Sequence, residues 1–309
     1  MISSNLLAWC AILWVTAAAS CRDSMVGNYS FVTCSGFSNS SDLRDQLQRS
    51  SPQKEFTLVL KDSWFDRVDP YALSQLQPSV LELSNFTADS FCDEELFAAL
   101  RDSLTSIAFA HKSSLPCSWS LLRQLDKLQA LSLSGLAQLN LSNSFNQLPQ
   151  SLKIVSIAHS RISNVDEDWL SALVGIQIVS IRNTNLNIFL RSMLPKPAPF
   201  LRRLDLFNNS IASLEKNFSD GYPVLKYLTL DNNKIRTFEE ATLAPLLQSA
   251  SHRRVRFIGN PLHCDCRLRF LLSYPRDWLR ASCKTPRSLN RRALSTLAEA
   301  DLAPCDQEP

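Results

Sequence analysis

The sequence predicts an α/β repeat protein. Its expected form is a solenoid with a curved parallel β-sheet, irregular or helical segments on the convex side, and disulfide-bonded caps at its ends. Three observations support this fold: a related segment recurs about every 24 residues, apolar and polar residues alternate at the start of each copy, and an even set of cysteines follows an apolar leader. The period is the strongest of the three, because a fixed repeat of this length is typical of solenoids.

The repeated segment is clearest in LRRLDLFNNSI, which begins at Leu201, and in LKYLTLDNNKI, which begins at Leu225. Further copies, spaced 24 or 25 residues apart, begin at Leu104, Leu128, Leu152 and Ile176. Weaker copies lie near residues 55 and 78, and a last copy begins at His252. About nine copies at this spacing exclude chance amphipathicity as the explanation.

Each copy predicts one short strand. Positions 4 and 6 are apolar and alternate with polar positions, which is the pattern of a strand with one buried face. Parallel stacking of these strands, with apolar return segments that include Phe218, Phe238, Leu243 and Leu246, would close the coil. Because no single turn can bury its own apolar face, the stack of copies is the folding unit.

The repeated pattern resembles the leucine-rich repeat, LxxLxLxxNxL, whose period lies in the range of 20 to 29 residues. The resemblance implies that the residue at position 9, normally asparagine, hydrogen-bonds the turn backbone and forms a ladder along the coil. That position holds Asn209, Asn233 and Asn260, with Ser160 and Thr184 as shorter substitutes. Earlier copies have Phe86, Lys112 and Leu136 there, so we expect an irregular coil before about residue 150.

The segment 260–305 contains NPLHCDCRLRF, Trp278, ASCKTPRSL and ALSTLAEADLAPC, and it resembles the cysteine-rich C-terminal cap of extracellular leucine-rich repeat proteins. That resemblance implies the pairs Cys264–Cys283 and Cys266–Cys305. Other chemistries fit less well, since a zinc site needs four ligands at finger-like spacing and thiol redox motifs are CxxC. We therefore expect no metal here.

The remaining cysteines predict two further bridges. Cys21 and Cys34 lie around SFVTCSG, which looks like a shortened N-terminal cap over residues 21–54. The repeats then cover 55–259, and a tail of 306–309 follows the C-terminal cap. Cys92 and Cys117 fall at positions 15 and 14 of neighbouring copies, where turns separated by about 4.8 Å would allow a bridge.

Residues 1–20 predict a cleaved signal peptide, because an apolar run, LLAWCAILWVTAAAS, ends in small residues. The alternative, a retained membrane anchor, needs about 20 apolar residues, and the run is shorter. Cleavage would remove Cys10 and leave eight cysteines, an even number typical of secreted chains. Glycosylation is predicted at six N-x-S/T sequons, at Asn28, Asn39, Asn85, Asn140, Asn208 and Asn217. We therefore expect a secreted, extracellular chain with no membrane span.

The concave face of the coil should present positions 3, 5 and 7 of each strand. In the middle copies these positions are mostly Ser, Ala and Ile, and then the composition changes. The C-terminal copies present Arg182, Arg203, Asp205, Phe207, Tyr227, Thr229, Asp231, Arg254 and Arg256. Aromatic and Arg side chains are enriched in binding hot spots, so we predict that a protein ligand binds there. The alternative is that these are ordinary solvated strand positions.

The stretch from His252 to Arg292 has ten Arg and one Lys against two Asp, a net charge of +9. Clustered Arg suits sulfated or phosphorylated polyanions, which indicates an extracellular glycosaminoglycan as an alternative partner. The residues for this role are Arg253, Arg254, Arg256, Arg291 and Arg292. The alternative interpretation is a solvated cap with scattered arginines. Nucleic acid fits secretion poorly, so we predict no such partner.

No feature of the sequence predicts an enzyme. The four histidines, His111, His159, His252 and His263, fall on different copies, and no nucleophile or metalloprotease motif accompanies them. We therefore predict a secreted binding protein without catalytic residues or cofactors. The alternatives are a matrix or glycosaminoglycan-binding protein that acts through the Arg-rich cap, and a non-catalytic recognition subunit of a secreted complex.

Overall fold

The computed structural model describes residues 18–50, 52, 55–74, 76–89, 91–247 and 253–302. Most of the predicted leader, including Cys10, lies outside the described residues, as do His252, Cys305 and the tail. Within the described part of the chain, no helix has the length and apolar character needed to cross a membrane.

Eleven strands form one sheet that runs the length of the molecule. In spatial order they are β1 (Ser20–Val26), β2 (Tyr29–Ser35), β3 (Phe56–Phe65), β4 (Val80–Ala88), β5 (Ser106–Ala110), β6 (Ala130–Ser134), β8 (Ile154–Ala158), β10 (Ile178–Arg182), β11 (Arg203–Asp205), β12 (Tyr227–Thr229) and β13 (Arg254–Arg256). Within this sheet, only β1 is antiparallel to its neighbour. The other strands pair in parallel, and each repeat copy contributes one of them.

Short elements lie outside this sheet. Two-stranded sheets pair β7 (Leu139–Leu141) with β9 (Ile162–Val165), and β14 (Leu262–His263) with β15 (Cys283–Thr285). Four α-helices, α1 (Ser40–Leu47), α2 (Pro70–Ser74), α3 (Glu94–Ala98) and α4 (Glu240–Leu247), occupy return segments. Other return segments and the C-terminal cap contain short 3₁₀ helices, the longest of them over Cys266–Ser273. The four apolar return residues named above are buried, as predicted.

Parallel pairing in the large sheet continues without a register shift from β2 through β8, so the predicted irregularity before residue 150 is wrong for the sheet. An aromatic series fills the core of these copies, with neighbouring ring centroids 4.5 to 6.2 Å apart. Its members are Phe65, Phe86, Phe91, Phe109, Trp119, Phe145 and Trp169. Aromatic pairs add about 0.5–1.5 kcal/mol beyond their buried area, so these rings join successive copies.

The polar ladder continues through the N-terminal copies with a different residue. Asn233 donates from Nδ2 to the carbonyl of Leu206 at 2.8 Å, and Asn209 and Asn260 make the equivalent bond to the preceding copy. In the copy that has Lys112 at position 9, the Ser113 hydroxyl lies 3.0 Å from the carbonyl of Leu83 and 2.6 Å from the carbonyl of Ala110, so these two acceptors share its single proton. Its hydroxyl also accepts the amide N–H of Phe86. The Ser113 hydroxyl, at position 10 of its copy, thus reaches the carbonyl at position 6 of the preceding copy, which is the carbonyl that an asparagine at position 9 contacts in the C-terminal copies.

Position 8 of every copy has left-handed backbone. The residues are Asp62, Asn85, His111, Gly135, His159, Asn183, Asn208, Asn232 and Gly259, with φ between 48° and 77°. Asn, Asp, His and Gly adopt this conformation more readily than other residues, so the choice of residue at this position follows the turn. At Gly259 a Cβ would also collide with Oδ1 of Asn232, so that side chain would have to move to make room for it.

Three of the four predicted disulfides lie within the described residues. Cys21–Cys34 joins the paired strands β1 and β2, Cys92–Cys117 joins neighbouring copies, and Cys264–Cys283 lies in the C-terminal cap. Cys266 is also disulfide-bonded, while Cys305, its predicted partner, lies outside the described residues. The CxC motif is therefore part of a disulfide-bonded cap.

Candidate binding surface

The register of β10 to β13 aligns the predicted binding residues in rows across the sheet. Arg203, Tyr227 and Arg254 are paired neighbours in one row. Asp205, Thr229 and Arg256 form the next row in the same register. Adjacent strands are about 4.8 Å apart, so the residues of one row are direct neighbours across the sheet.

Arg182 lies against two residues of the following copy. Its Cζ is 5.0 Å from the centroid of the Phe207 ring, and its Nε is 3.6 Å from the Asp205 carboxylate. Asp205 is buried, and its other oxygen accepts the amide N–H of Phe207 at 3.2 Å. The carboxylate thus holds the guanidinium beside the ring, and the half-exposed Arg182 faces solvent.

A second cation–aromatic pair lies one copy further along the sheet. The Cζ of Arg203 is 4.9 Å from the centroid of the Tyr227 ring. Arg203 is exposed, and the exposed fraction of Tyr227 is 40%, so both are accessible to a partner. Exposed cation–π contacts are worth about 0.5–1 kcal/mol, enough to favour one orientation of a flexible Arg.

Asp231 and Arg256 form the third contact of this surface. Asp231 is buried and its carboxylate lies 2.7 Å from the Arg256 guanidinium. Of the nine residues predicted to line this surface, Asp205 and Asp231 are therefore not free to bind a ligand directly. Their carboxylates are occupied by backbone amides and by the neighbouring arginines, which they orient.

A groove of about 1160 Å³ lies where β12 and β13 meet the C-terminal cap. The wall that belongs to the cap includes Pro275, Asp277, Trp278 and Arg280. Trp278 is buried and its indole N–H donates to the carbonyl of Arg253 at 3.4 Å, which fixes the cap against the last repeat.

Part of this groove lies outside the residues predicted to bind a ligand. Val224 and Lys226 line it, but they lie before the strand, outside the positions assigned to the concave face. Their signal in the sequence is that two copies have an apolar residue directly before their first position, Phe200 and Val224, and that three copies have a cation directly after it, Arg202, Lys226 and Arg253. The cap residues carried no such signal, because their approach to the sheet is a tertiary contact.

The predicted polyanion-binding arginines differ in their surroundings. Arg292 is paired with Asp301 at 2.8 Å, and Arg256 is paired with Asp231. Arg253 donates to the carbonyls of Tyr222 and Pro223, and its partial burial lowers the pKa of its guanidinium. Arg254 and Arg291 are exposed. The two predicted clusters are thus not equally available to an anion.

Two of the described histidines, His159 and His263, make separate polar contacts. His159 contacts the Asn183 side chain, and His263 contacts Thr285 at 2.7 Å and Asp265 at 3.4 Å. Among the described residues, no group of three or more His, Cys, Asp or Glu side chains is placed to hold a metal ion.

All six sequon asparagines are exposed. Two of them, Asn85 and Asn208, occupy the left-handed position 8 at the ends of their strands. Asn208 directly follows Phe207 in the sequence, and its Nδ2 donates to Oδ1 of Asn183 at 2.8 Å. A glycan on Asn208 would thus be attached at the border of the candidate binding surface.

Comparison with known proteins relates the chain to leucine-rich repeat proteins. Residues 199–249 match the leucine rich repeat family. Toll-like receptor 9 of Mus musculus is 29% identical over 148 residues, which cover 45% of this chain and 14% of the receptor. Trophoblast glycoprotein of Macaca fascicularis is 32% identical over 145 residues, which cover 44% of this chain and 33% of that protein. The match therefore spans a third or less of each relative.

Solved structures show the same fold at lower identity. A chain of the octameric complex of Latrophilin 3 (Lec, Olf), Unc5D (Ig, Ig2, TSP1) and FLRT2 (LRR) superposes with a TM-score of 0.56 at 20% identity, over 78% of this chain and 81% of that chain. Human 5T4 (trophoblast glycoprotein) superposes with a TM-score of 0.54 at 19% identity, over 88% of this chain and 95% of that chain. The chain therefore contains leucine-rich repeats and has the fold of a leucine-rich repeat solenoid with disulfide-bonded caps.

Proposed function

We propose that this chain is an extracellular binding protein that recognises a protein ligand through the concave side of β10 to β13. The observation that carries the proposal is the pair of accessible cation–aromatic contacts, Arg182 with Phe207 and Arg203 with Tyr227. Arg and aromatic side chains dominate hot spots because they offer large area and directed hydrogen bonds. Asp205 further fixes the orientation of Arg182, which lowers the entropy cost of binding.

The extracellular part of the proposal is supported by the disulfides, since such bonds form and persist in oxidising compartments. The relatives also support a binding role, because one solved neighbour contains FLRT2 in a complex with two other proteins. We infer that the chain acts without catalysis and that it binds through an area of sheet. Cleavage of the leader and occupancy of the sequons belong to the same proposal.

The test uses the purified, disulfide-bonded protein as bait against a panel of individually expressed extracellular proteins. We expect capture of one or a few panel members, and we expect Phe207→Ala to weaken that capture about tenfold or more. Phe200→Ala is the matched control, because Phe200 is an exposed Phe of the same copy that precedes the strand. Equal effects of Phe207→Ala and Phe200→Ala, or no effect of either variant, would contradict the proposed surface.

A further inference from the structure

The groove between β12, β13 and the C-terminal cap has an apolar part and a cationic part. Val224 and Tyr227 are both exposed by 40%, and Pro223 and Pro275 lie beside them. Lys226 and Arg254 line the same groove. Exposed apolar area next to cations is typical of a site for a peptide, whose side chains offer both contacts.

The positive charge in this region is not compensated. Five cations lie on or directly before β11, β12 and β13, namely Arg202, Arg203, Lys226, Arg253 and Arg254. None of the five lies within 4.0 Å of a carboxylate in the part of the chain that the structure describes. Of these five, Lys226, Arg253 and Arg254 line the groove. By contrast, two other cations of its lining, Arg256 and Arg280, are paired with Asp231 and Asp277.

This contrast matters because charges of one sign in a cleft add to the local potential. Water and salt screen isolated surface charges over about 10 Å at ordinary ionic strength. Neighbouring strands are about 4.8 Å apart, so these side chains lie within that range of each other. A partner with carboxylates at similar spacing would neutralise them together and would associate faster at low salt.

We propose that this groove binds an extended acidic segment of a protein ligand. Carboxylates of the segment contact Lys226 and Arg254, and an apolar side chain of the segment packs against Tyr227 and Val224. The proposal rests on the proposed function and names the chemistry of the partner at the cap end of the same surface. Exposed apolar lining favours a peptide over a sulfated polysaccharide, which offers few apolar groups.

The test begins with selection of a random dodecapeptide display library on the disulfide-bonded protein. We expect the enriched sequences to be acidic and to contain an apolar residue. A fluorescein-labelled peptide of the enriched consensus is then measured by anisotropy against the native chain and against Lys226→Glu/Arg254→Glu. We expect the double variant to bind about tenfold or more weakly, and we expect binding by the native chain to fall with added salt.

Arg236→Glu is the matched control, because Arg236 is exposed and belongs to the same copy as Lys226 but follows the strand. This control should bind the peptide as the native chain does, and circular dichroism and the melting temperature check that each variant is folded. Enrichment of neutral or basic peptides, or an equal loss of binding in Arg236→Glu, would overturn the proposal.

Two further outcomes separate this proposal from the proposed function. In the first, Phe207→Ala abolishes binding of a panel protein while the double charge variant leaves that binding unchanged. This outcome would support the proposed concave binding surface and would contradict the acidic segment as the occupant of the groove. If no peptide is enriched and heparin fragments bind the native chain but not the double variant, the occupant of the groove is a polysaccharide. That result would overturn the acidic segment as the occupant.

Discussion

The carboxylate of Asp231 lies 2.7 Å from the Arg256 guanidinium and accepts the amide N–H of Ile258 at 2.7 Å. The Asp231 side chain is 4% exposed, whereas Arg256 is 59% exposed. One buried carboxylate therefore ties the end of β12 to the next copy and holds an accessible arginine in place. A buried acceptor of this kind contributes more to stability than an exposed ion pair does.

We expect Asp231→Ala to lower the free energy of unfolding by about 1–3 kcal/mol, because the Ile258 amide loses its acceptor. Urea denaturation followed by circular dichroism measures this change. The control is Asp277→Ala, since Asp277 is 89% exposed and pairs with Arg280 at the surface. That variant should change the free energy of unfolding by less than about 1 kcal/mol. An equal decrease in the free energy of unfolding of the two variants would contradict the larger contribution that we assign to the buried Asp231 carboxylate.

The ladder in the N-terminal half predicts a specific role for Ser113. Ser113→Ala should lower the free energy of unfolding by about 1–3 kcal/mol, because the Phe86 amide loses its buried acceptor and the carbonyls of Leu83 and Ala110 lose the donor that they share. Ser273→Ala is a control, since its exposed hydroxyl donates only to the carbonyl of Phe270. The urea midpoints of the two variants test this prediction. A Ser113→Ala midpoint equal to that of the native chain would contradict a role of Ser113 in the ladder.

The disulfide Cys92–Cys117 closes a loop with a sequence separation of 25 residues. Replacing both cysteines by serine should destabilise the fold by about 3 kcal/mol, because the unfolded chain regains the entropy of that loop. Thermal unfolding without reductant measures the effect. Adding reductant should then shift the melting temperature of this variant less than that of the native chain, and an equal shift would contradict a formed Cys92–Cys117 bridge.

The C-terminal cap should lose stability in acid. Hydrogen bonds from Arg292, and then from the Ala298 amide, hold the pKa of Asp301 below its ordinary value of 3.8. A lowered pKa means that the carboxylate stabilises the fold fully above pH 3.8, and that this contribution is lost as the pH falls through the folded-state pKa.

Asp301→Asn therefore should destabilise the chain at neutral pH and converge with the native chain in acid. Melting temperatures measured from neutral pH to below pH 3.8 test this expectation, with Asp277→Asn as the exposed control. A difference between Asp301→Asn and the native chain that stays constant over the whole range would refute a role for the charged carboxylate.

Much of the fold was predictable from the sequence because each copy records its own local structure. The period, the strand residues and the apolar return segments all follow from the alternation and spacing of apolar residues. The left-handed turn at position 8 is recorded in the same way, since all nine copies have Asp, Asn, His or Gly there. The exposed residues of the binding rows follow from strand alternation, which places Arg203 and Tyr227 on one face.

The tertiary structure decided what depends on residues from different copies. Lys112 at position 9 suggests a broken ladder, but Ser113 reaches the Leu83 carbonyl 30 residues away. Asp231 looks exposed by alternation, but the following copy and Arg256 cover it. The groove exists only because the cap, held by Trp278, lies against the last strands. Local sequence fixes backbone conformation and facing, whereas burial, pairing of charges and clefts arise from distances between separate segments.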